Sequence, residues 1–172
     1  MVEWDYFKQF GSDIIAPAIL TEQTPTNFKW PDWELVLFNL LTQIHLMSEV
    51  KTDREKVLCD LMPMRFMELP GQTYIDWMVA KNTRIPASIA NAVLFDQTAQ
   101  DYRPNVSKVS FLSLVVSGGT ENKLLPTEAI RFVHDNISGS QFSLYEDSSH
   151  CPFQEETESF NQEADEFVRS LA

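Results

Sequence analysis

Apolar residues recur at helical steps through the first hundred positions, and no stretch there is long enough for a convincing strand. From Trp30 to Met47, residues Trp33, Val36, Leu37, Leu40, Leu41, Ile44 and Met47 fall at three- and four-residue intervals. Pro31 sits where a first helical turn tolerates it, so the spacing predicts a helix over 30–47. Thr52 and Glu55 have capping-box spacing ahead of Val57, Leu58 and Leu61, and Pro63 should kink or end that helix early. Gly71 to Asn82 predicts a short helix around Tyr74, Ile75, Trp77 and Met78. Pro86 opens another, with Ile89, Val93 and Leu94 as its inner face. After Arg103 the pattern changes. Phe111 to Gly119 is a continuous apolar run ended by two glycines, as in a strand buried on both faces. Pro126 then starts a helix with Ala129, Ile130 and Val133 on one face, and Gln141 to Tyr145 alternates as a second strand. Thr157 is placed to cap a final helix carrying Phe160, Ala164, Phe167, Val168 and Leu171. Strand, helix, strand, helix is the order of a parallel sheet covered by helices, for which two strands alone are too few.

Composition narrows the partners. With 25 acidic against 13 basic side chains the net charge is −12, and the pI is near 4.5. Such a chain repels phosphate backbones and anionic membrane surfaces, so neither nucleic acid nor a membrane is expected as a partner. No apolar run approaches a membrane span, and Glu3, Asp5 and Asp13 stand where a secretory signal would be basic and then apolar, so a cytoplasmic chain is expected. Cys59 and Cys151 read as reduced and separately packed. His45, His134 and His150 lack the short spacings of zinc sites, so no metal is expected. The five glycines contain no phosphate-cradling loop, and no cofactor is indicated.

The C-terminal pieces occur in a recognisable order: Asp101-Tyr102-Arg103, the apolar run Leu112 to Ser117, the turn Gly118 to Asn122, Pro126, Phe142 to Tyr145, Ser148-Ser149-His150, Phe153-Gln154-Glu155 and Phe160-Asn161. In this order they resemble the closing portion of the α/β-hydrolases, in particular the group of non-haem chloroperoxidases and esterases. The helical stretch before Asp101, with Trp77-Met78, Arg84 and Pro86, resembles the helical cap that roofs the pocket in that family. The resemblance implies a partial α/β-hydrolase fold, with a helical cap-like region over 1–100 and the C-terminal part of the core over 101–172. It also implies that the chain begins about where the family's cap begins, without the part that carries the nucleophile.

On that resemblance His150 takes the place of the catalytic histidine, on a loop between a strand and a helix. There it would exchange a proton with a nucleophile and lean on a carboxylate. His134 and His45, on helices among apolar residues, keep a structural reading. The acid is expected three residues after the glycine that ends the strand, and two registers compete. Counting from Gly118 gives Glu121, which can stabilise an imidazolium by charge and is favoured on that ground. Counting from Gly119 gives Asn122, which cannot. Glu3 or Asp5 is a remote further candidate. No Gly-x-Ser-x-Gly occurs, and Ser140, in Gly139-Ser140-Gln141, joins a helix to a strand, the wrong order for a nucleophile elbow.

Two functions follow. The chain could be the C-terminal part of a hydrolase of esters, amides or related small apolar substrates, inactive alone and completed by an N-terminal partner chain or a longer product. Alternatively it could be a non-catalytic interaction or regulatory module that uses an open strand edge, with homodimerisation as one outcome.

Overall fold

Three short parallel strands form the centre of the protein, in the order β1-β2-β3. The structure is a computed structural model that describes residues 2–12, 15–119 and 121–171; Asp13 and Thr120 from the segments above lie outside the described residues. Helix α1 (Val2–Phe10) is followed by β1 (Ala18–Thr21), and four helices come next: α2 (Leu40–Thr52), α3 (Arg54–Arg65), α4 (Gln72–Asn82) and α5 (Ala87–Ala99). The short α6 (Arg103–Val106) leads into β2 (Ser113–Gly118), α7 (Thr127–Asn136), β3 (Gln141–Tyr145), the short α8 (Pro152–Glu155) and α9 (Thr157–Arg169).

Every residue of β2 is buried. The reason is the two-residue alternation of a strand with helices on both faces. Val115 joins Leu20, Ile130 and Val133 with Trp4 and Phe7 of α1 on one face. Leu114 and Val116 meet Tyr145 and Phe167 of α9 on the other. Each such side chain contributes about 1.5–3 kcal/mol by leaving water. The predicted faces of α7 and the extent of β3 agree with the structure. Thr157 does not cap α9, because its hydroxyl donates to the carbonyls of Phe153 and Gln154 instead. The outer end of the predicted α9 face, Val168 and Leu171, is exposed.

The first hundred residues differ from the expectation in three ways. First, they contain a strand: β1 pairs with β2, Leu20 opposite Val115, so the sheet has three strands among the described residues. Together with α1, β1 belongs to the sheet layer, and the division at residue 100 does not separate sheet from helices. Second, 30–39 is not helical. Asn39 caps α2, its side chain accepting from the N–H groups of Leu41 and Thr42 while Thr42 answers the N–H of Asn39. Trp33 and Val36 instead pack on Ala129 of α7. Third, the inner face of α5 is rotated: Ile89 and Val93 are exposed and Thr98 is buried. Helix α3 starts one residue from the expected cap, since Asp53 rather than Thr52 accepts the N–H of Lys56. Pro63 lies inside its last turn, two residues before the end at Arg65. The α4 boundaries agree with the Gly71 to Asn82 prediction.

The helical segment is fastened to the sheet layer near residue 150. Met62, Phe66 and Ile75 bury their side chains with Cys151. The amide of His150 donates to the Arg65 carbonyl at 3.0 Å, and the Ser149 hydroxyl to the Met64 carbonyl at 3.1 Å.

Candidate functional site

Glu22 follows β1 directly and has φ of 53°, the one positive φ at a non-glycine among the described residues. A side chain held there costs about 1–3 kcal/mol and persists when its surroundings over-determine it. The surroundings here are specific. Glu22 is 4% exposed, its N–H donates to the Val116 carbonyl at 2.9 Å, and its carboxylate takes three donors. Gly118 N–H reaches Oε1 at 2.7 Å, Asn122 Nδ2 reaches Oε2 at 2.7 Å, and His150 Nδ1 lies 3.0 Å from Oε2.

His150 sits on the turn between β3 and α8 with its side chain 25% exposed. A proton on Nδ1 donated to Glu22 leaves Nε2 as the ring's acceptor, and Nε2 has no hydrogen-bond partner among the described residues. The turn is held by acids from the following segment: Glu155 accepts both the Ser149 N–H at 2.9 Å and the Met67 N–H at 2.6 Å, and Glu156 accepts the Ser148 hydroxyl. The two glycines that end β2 are required by this turn. A Cβ on Gly118 would lie 1.9 Å from the Ser149 carbonyl oxygen, and one on Gly119 would lie 2.4 Å from that of Glu146.

Of the two registers for the acid, the structure turns Asn122 into the site, onto Glu22 and the Ser149 hydroxyl, and leaves Glu121 exposed. Asn122 holds Glu22 through its amide nitrogen while its oxygen accepts from the N–H groups of Leu124 and Leu125. Glu121 is exposed and makes no contact with His150 among the described residues. Glu3 and Asp5 lie on α1, where Asp5 pairs with Gln9 and Tyr102 rather than with His150. Glu22 itself was missed in the sequence, where its only signal is the short apolar run Ala18-Ile19-Leu20 ahead of Thr21-Glu22.

The other reactive groups keep structural places. The Ser140 hydroxyl donates to the His134 and Ile137 carbonyls, and the His134 ring meets Ser140 and Phe142. Ser117 is fully buried on β2, bonded to the Gly118 carbonyl. His45 is not in a core as expected: its side chain is 75% exposed, beside Glu49. Cys59 and Cys151 are both free thiols, and burial first of all pushes the Cys151 thiol up to about 11. Among the described residues no cluster of three or more His, Cys, Asp or Glu could hold a metal ion, and no helix is long and apolar enough to cross a membrane.

His150 and Glu22 stand on the wall of a cavity of about 250 Å³ between the sheet layer and the helical segment, lined by Val36, Phe38, Leu61 and Leu94 among others. The site thus joins a strand-end carboxylate, a histidine on the turn after the next strand but one and a cavity beside them, on a parallel sheet covered by helices. Comparison with solved structures gives the same fold. The chain is similar to an esterase from Exiguobacterium antarcticum at 19% identity and a TM-score of 0.90, over 98% of this chain and 62% of that one. It is similar to a bromoperoxidase from Bacillus anthracis at 17% identity and a TM-score of 0.87, over 97% of this chain and 63% of that one. It is also similar to an enol-lactonase from Burkholderia xenovorans at 16% identity and a TM-score of 0.76, over 95% and 60%. The architecture is therefore a partial α/β-hydrolase fold, and the chain spans about three fifths of the length of these structures. No protein-family model matches it, and no curated protein does.

Proposed function

We propose that this chain supplies the histidine, the acid and the cap of an ester-hydrolysing site whose nucleophile comes from sequence outside these 172 residues. The observation that carries the reading is the buried Glu22 carboxylate 3.0 Å from Nδ1 of a histidine at a cavity wall whose Nε2 has no partner among the described residues. In this reading Nε2 takes the proton of a nucleophile hydroxyl as that oxygen attacks the ester carbonyl, and returns it to the departing alkoxide. Glu22 stays ionised throughout, fixing the tautomer and stabilising the imidazolium. Helices α2 to α5 act as the cap, and their apolar side chains exclude water from the reacting ester. The esterase and enol-lactonase neighbours support an ester or lactone as the bond cleaved.

The test is a longer product, or a second chain expressed together with this one, that carries a Gly-x-Ser-x-Gly segment encoded immediately upstream. Ester hydrolysis by that assembly, lowered at least about a thousandfold by His150→Ala, is the expected result. An active assembly indifferent to His150→Ala overturns the reading. A non-catalytic module is the second reading, favoured by one observation: among the described residues β1 has a neighbour on one side only and leaves a sheet edge open for another chain. An upstream region without such a segment, together with self-association of the purified chain, would favour it.

A further inference from the structure

The wall of the cavity beside His150 carries three charged or titratable groups, Glu22, His150 and Arg65; the rest is apolar or neutral. Glu22 is occupied by three donors and His150 by Glu22. Arg65 is different. It ends α3, half-buried, and its side chain makes no ion pair or hydrogen bond among the described residues. The other two arginines that are not exposed are both served: Arg54 donates to the Ile85 carbonyl at 2.8 Å, and Arg103 pairs with Asp101 and Asp32. In a chain with 25 acidic against 13 basic side chains, a partly desolvated guanidinium left without a carboxylate is conspicuous.

Its position is fixed with respect to the histidine. The Arg65 carbonyl accepts the His150 N–H at 3.0 Å, so the two residues belong to one joint between α3 and the histidine turn. The Arg65 charge also acts on the Cys151 thiol, next to His150, where it opposes the dominant effect of burial. Arg65 and His150 line the same cavity. A guanidinium in a site of reduced dielectric, with no internal partner, is a receptor for a planar anion, and it binds a carboxylate through paired N–H donors.

We propose that this cavity takes a compact apolar ester or lactone that itself bears a carboxylate, and that Arg65 binds that carboxylate. The proposal rests on reading the cavity as the substrate site of His150, and adds the class of substrate. A cavity of about 250 Å³ is at the small end of small-molecule sites and suits a single ring or a short chain rather than a long acyl group. The apolar wall takes the body of such a molecule, and Arg65 offsets the repulsion that a chain of net charge −12 exerts on an anion.

The test reads binding and needs no turnover, so it stands apart from the hydrolysis experiment. Phenylacetate, phenylacetamide and acetate are titrated into the 172-residue chain at low salt, followed by calorimetry and by the His150 imidazole resonances. Phenylacetate should bind at least roughly tenfold tighter than either the neutral amide or acetate, as expected of a charge-assisted pair next to an apolar wall. Arg65→Gln should bring the acid-to-amide ratio close to one, Arg65→Lys should keep part of it, and His150→Ala should keep most of it. The proposal is overturned if neither aromatic ligand binds, if the parent ratio is near one, or if Arg65→Gln leaves it unchanged. It is equally overturned if His150→Ala abolishes the preference, since the imidazole would then be the anion site. Failure of the hydrolysis test with a preserved, Arg65-dependent ratio would sink the catalytic reading alone.

Discussion

Replacing Glu22 by Gln changes no heavy-atom count, yet the surroundings accept it in neither orientation. The carboxylate receives Gly118 N–H, Asn122 Nδ2 and His150 Nδ1, all donors. If the new amide turns its oxygen to Gly118, its NH₂ group faces the Asn122 amide and the histidine; if it turns the other way, NH₂ faces the Gly118 N–H. Asn122 cannot flip to relieve this, because its oxygen already accepts from Leu124 and Leu125 N–H at 3.0 and 3.2 Å. At least one donor-to-donor contact and one unpaired buried group remain, each costing about 1–3 kcal/mol, so a total of about 2–6 kcal/mol is expected. For a chain of this size that lowers the melting temperature by on the order of 10 °C. The imidazole responds as well. Facing an NH₂ group, Nδ1 must become the acceptor and the proton moves to Nε2, which can then no longer receive one. Urea denaturation gives the energy, and the nitrogen-15 shifts of the His150 ring give the tautomer. In an assembled hydrolase the wrong tautomer should cost roughly ten-thousandfold in kcat. A Glu22→Gln chain within about 0.5 kcal/mol of the parent, a change typical of an uninvolved surface site, with an unchanged tautomer, would refute the reasoning.

Three further outcomes are expected. The chain by itself should not hydrolyse nitrophenyl acetate above the level of its His150→Ala variant; turnover abolished by a serine-directed phosphonate would mean that Ser117 or Ser140 is a nucleophile after all. Gly118→Ala should destabilise by about 3 kcal/mol or more, because the new Cβ meets the Ser149 carbonyl at 1.9 Å. Gly139→Ala, with open space around it and a φ of 77°, should cost only about 1–2 kcal/mol; equal urea midpoints for the two variants would count against the close approach. Asp101 gives the pH dependence: burial pushes its carboxyl up, but the hydrogen bonds and charge of Arg103 outweigh this and hold it below its ordinary value of 3.8. Its contribution is therefore complete above that value and lost as the pH falls through the lower folded value, so Asp101→Asn should flatten the acid limb of the stability curve. Parallel curves for the two proteins below pH 3.8 would contradict it.

The parts of the fold that were legible in the sequence are those where burial leaves no choice. The β2 run is buried throughout, with Leu114, Val115 and Val116 at its centre, because helices cover both faces, and α7 shows a clean stripe because only one of its faces is covered. Legibility fails where apolar residues occur on more than one side of an element. On α2 the regular series Leu40, Leu41 and Ile44 is exposed while Gln43 and Val50 are buried, so period alone indicated helix but the wrong face. In 30–39 the tryptophans keep helical spacing yet serve a turn that packs on α7, and a cap at Asn39 decides where the helix begins. The four residues of β1 are too few to show a period at all.

The carboxylate that meets His150 was illegible for a related reason. Counting residues from the glycines of β2 assumes that the carboxylate must come from the turn after that strand, whereas the chemistry requires only that a carboxylate reach Nδ1. Strands β1 and β2 run parallel with Thr21 opposite Val116, so the turns after both strands open at the same end of the sheet. A side chain from either turn can meet the ring on the turn after β3. Here the residue after β1 bends into a positive φ and delivers the carboxylate. The position after β2 holds Asn122, which lacks the charge but donates the hydrogen bond that fixes Glu22. An asparagine at that place is thus not a lost acid. It holds in place a carboxylate that comes from the neighbouring strand, 128 residues away in sequence from the histidine it meets.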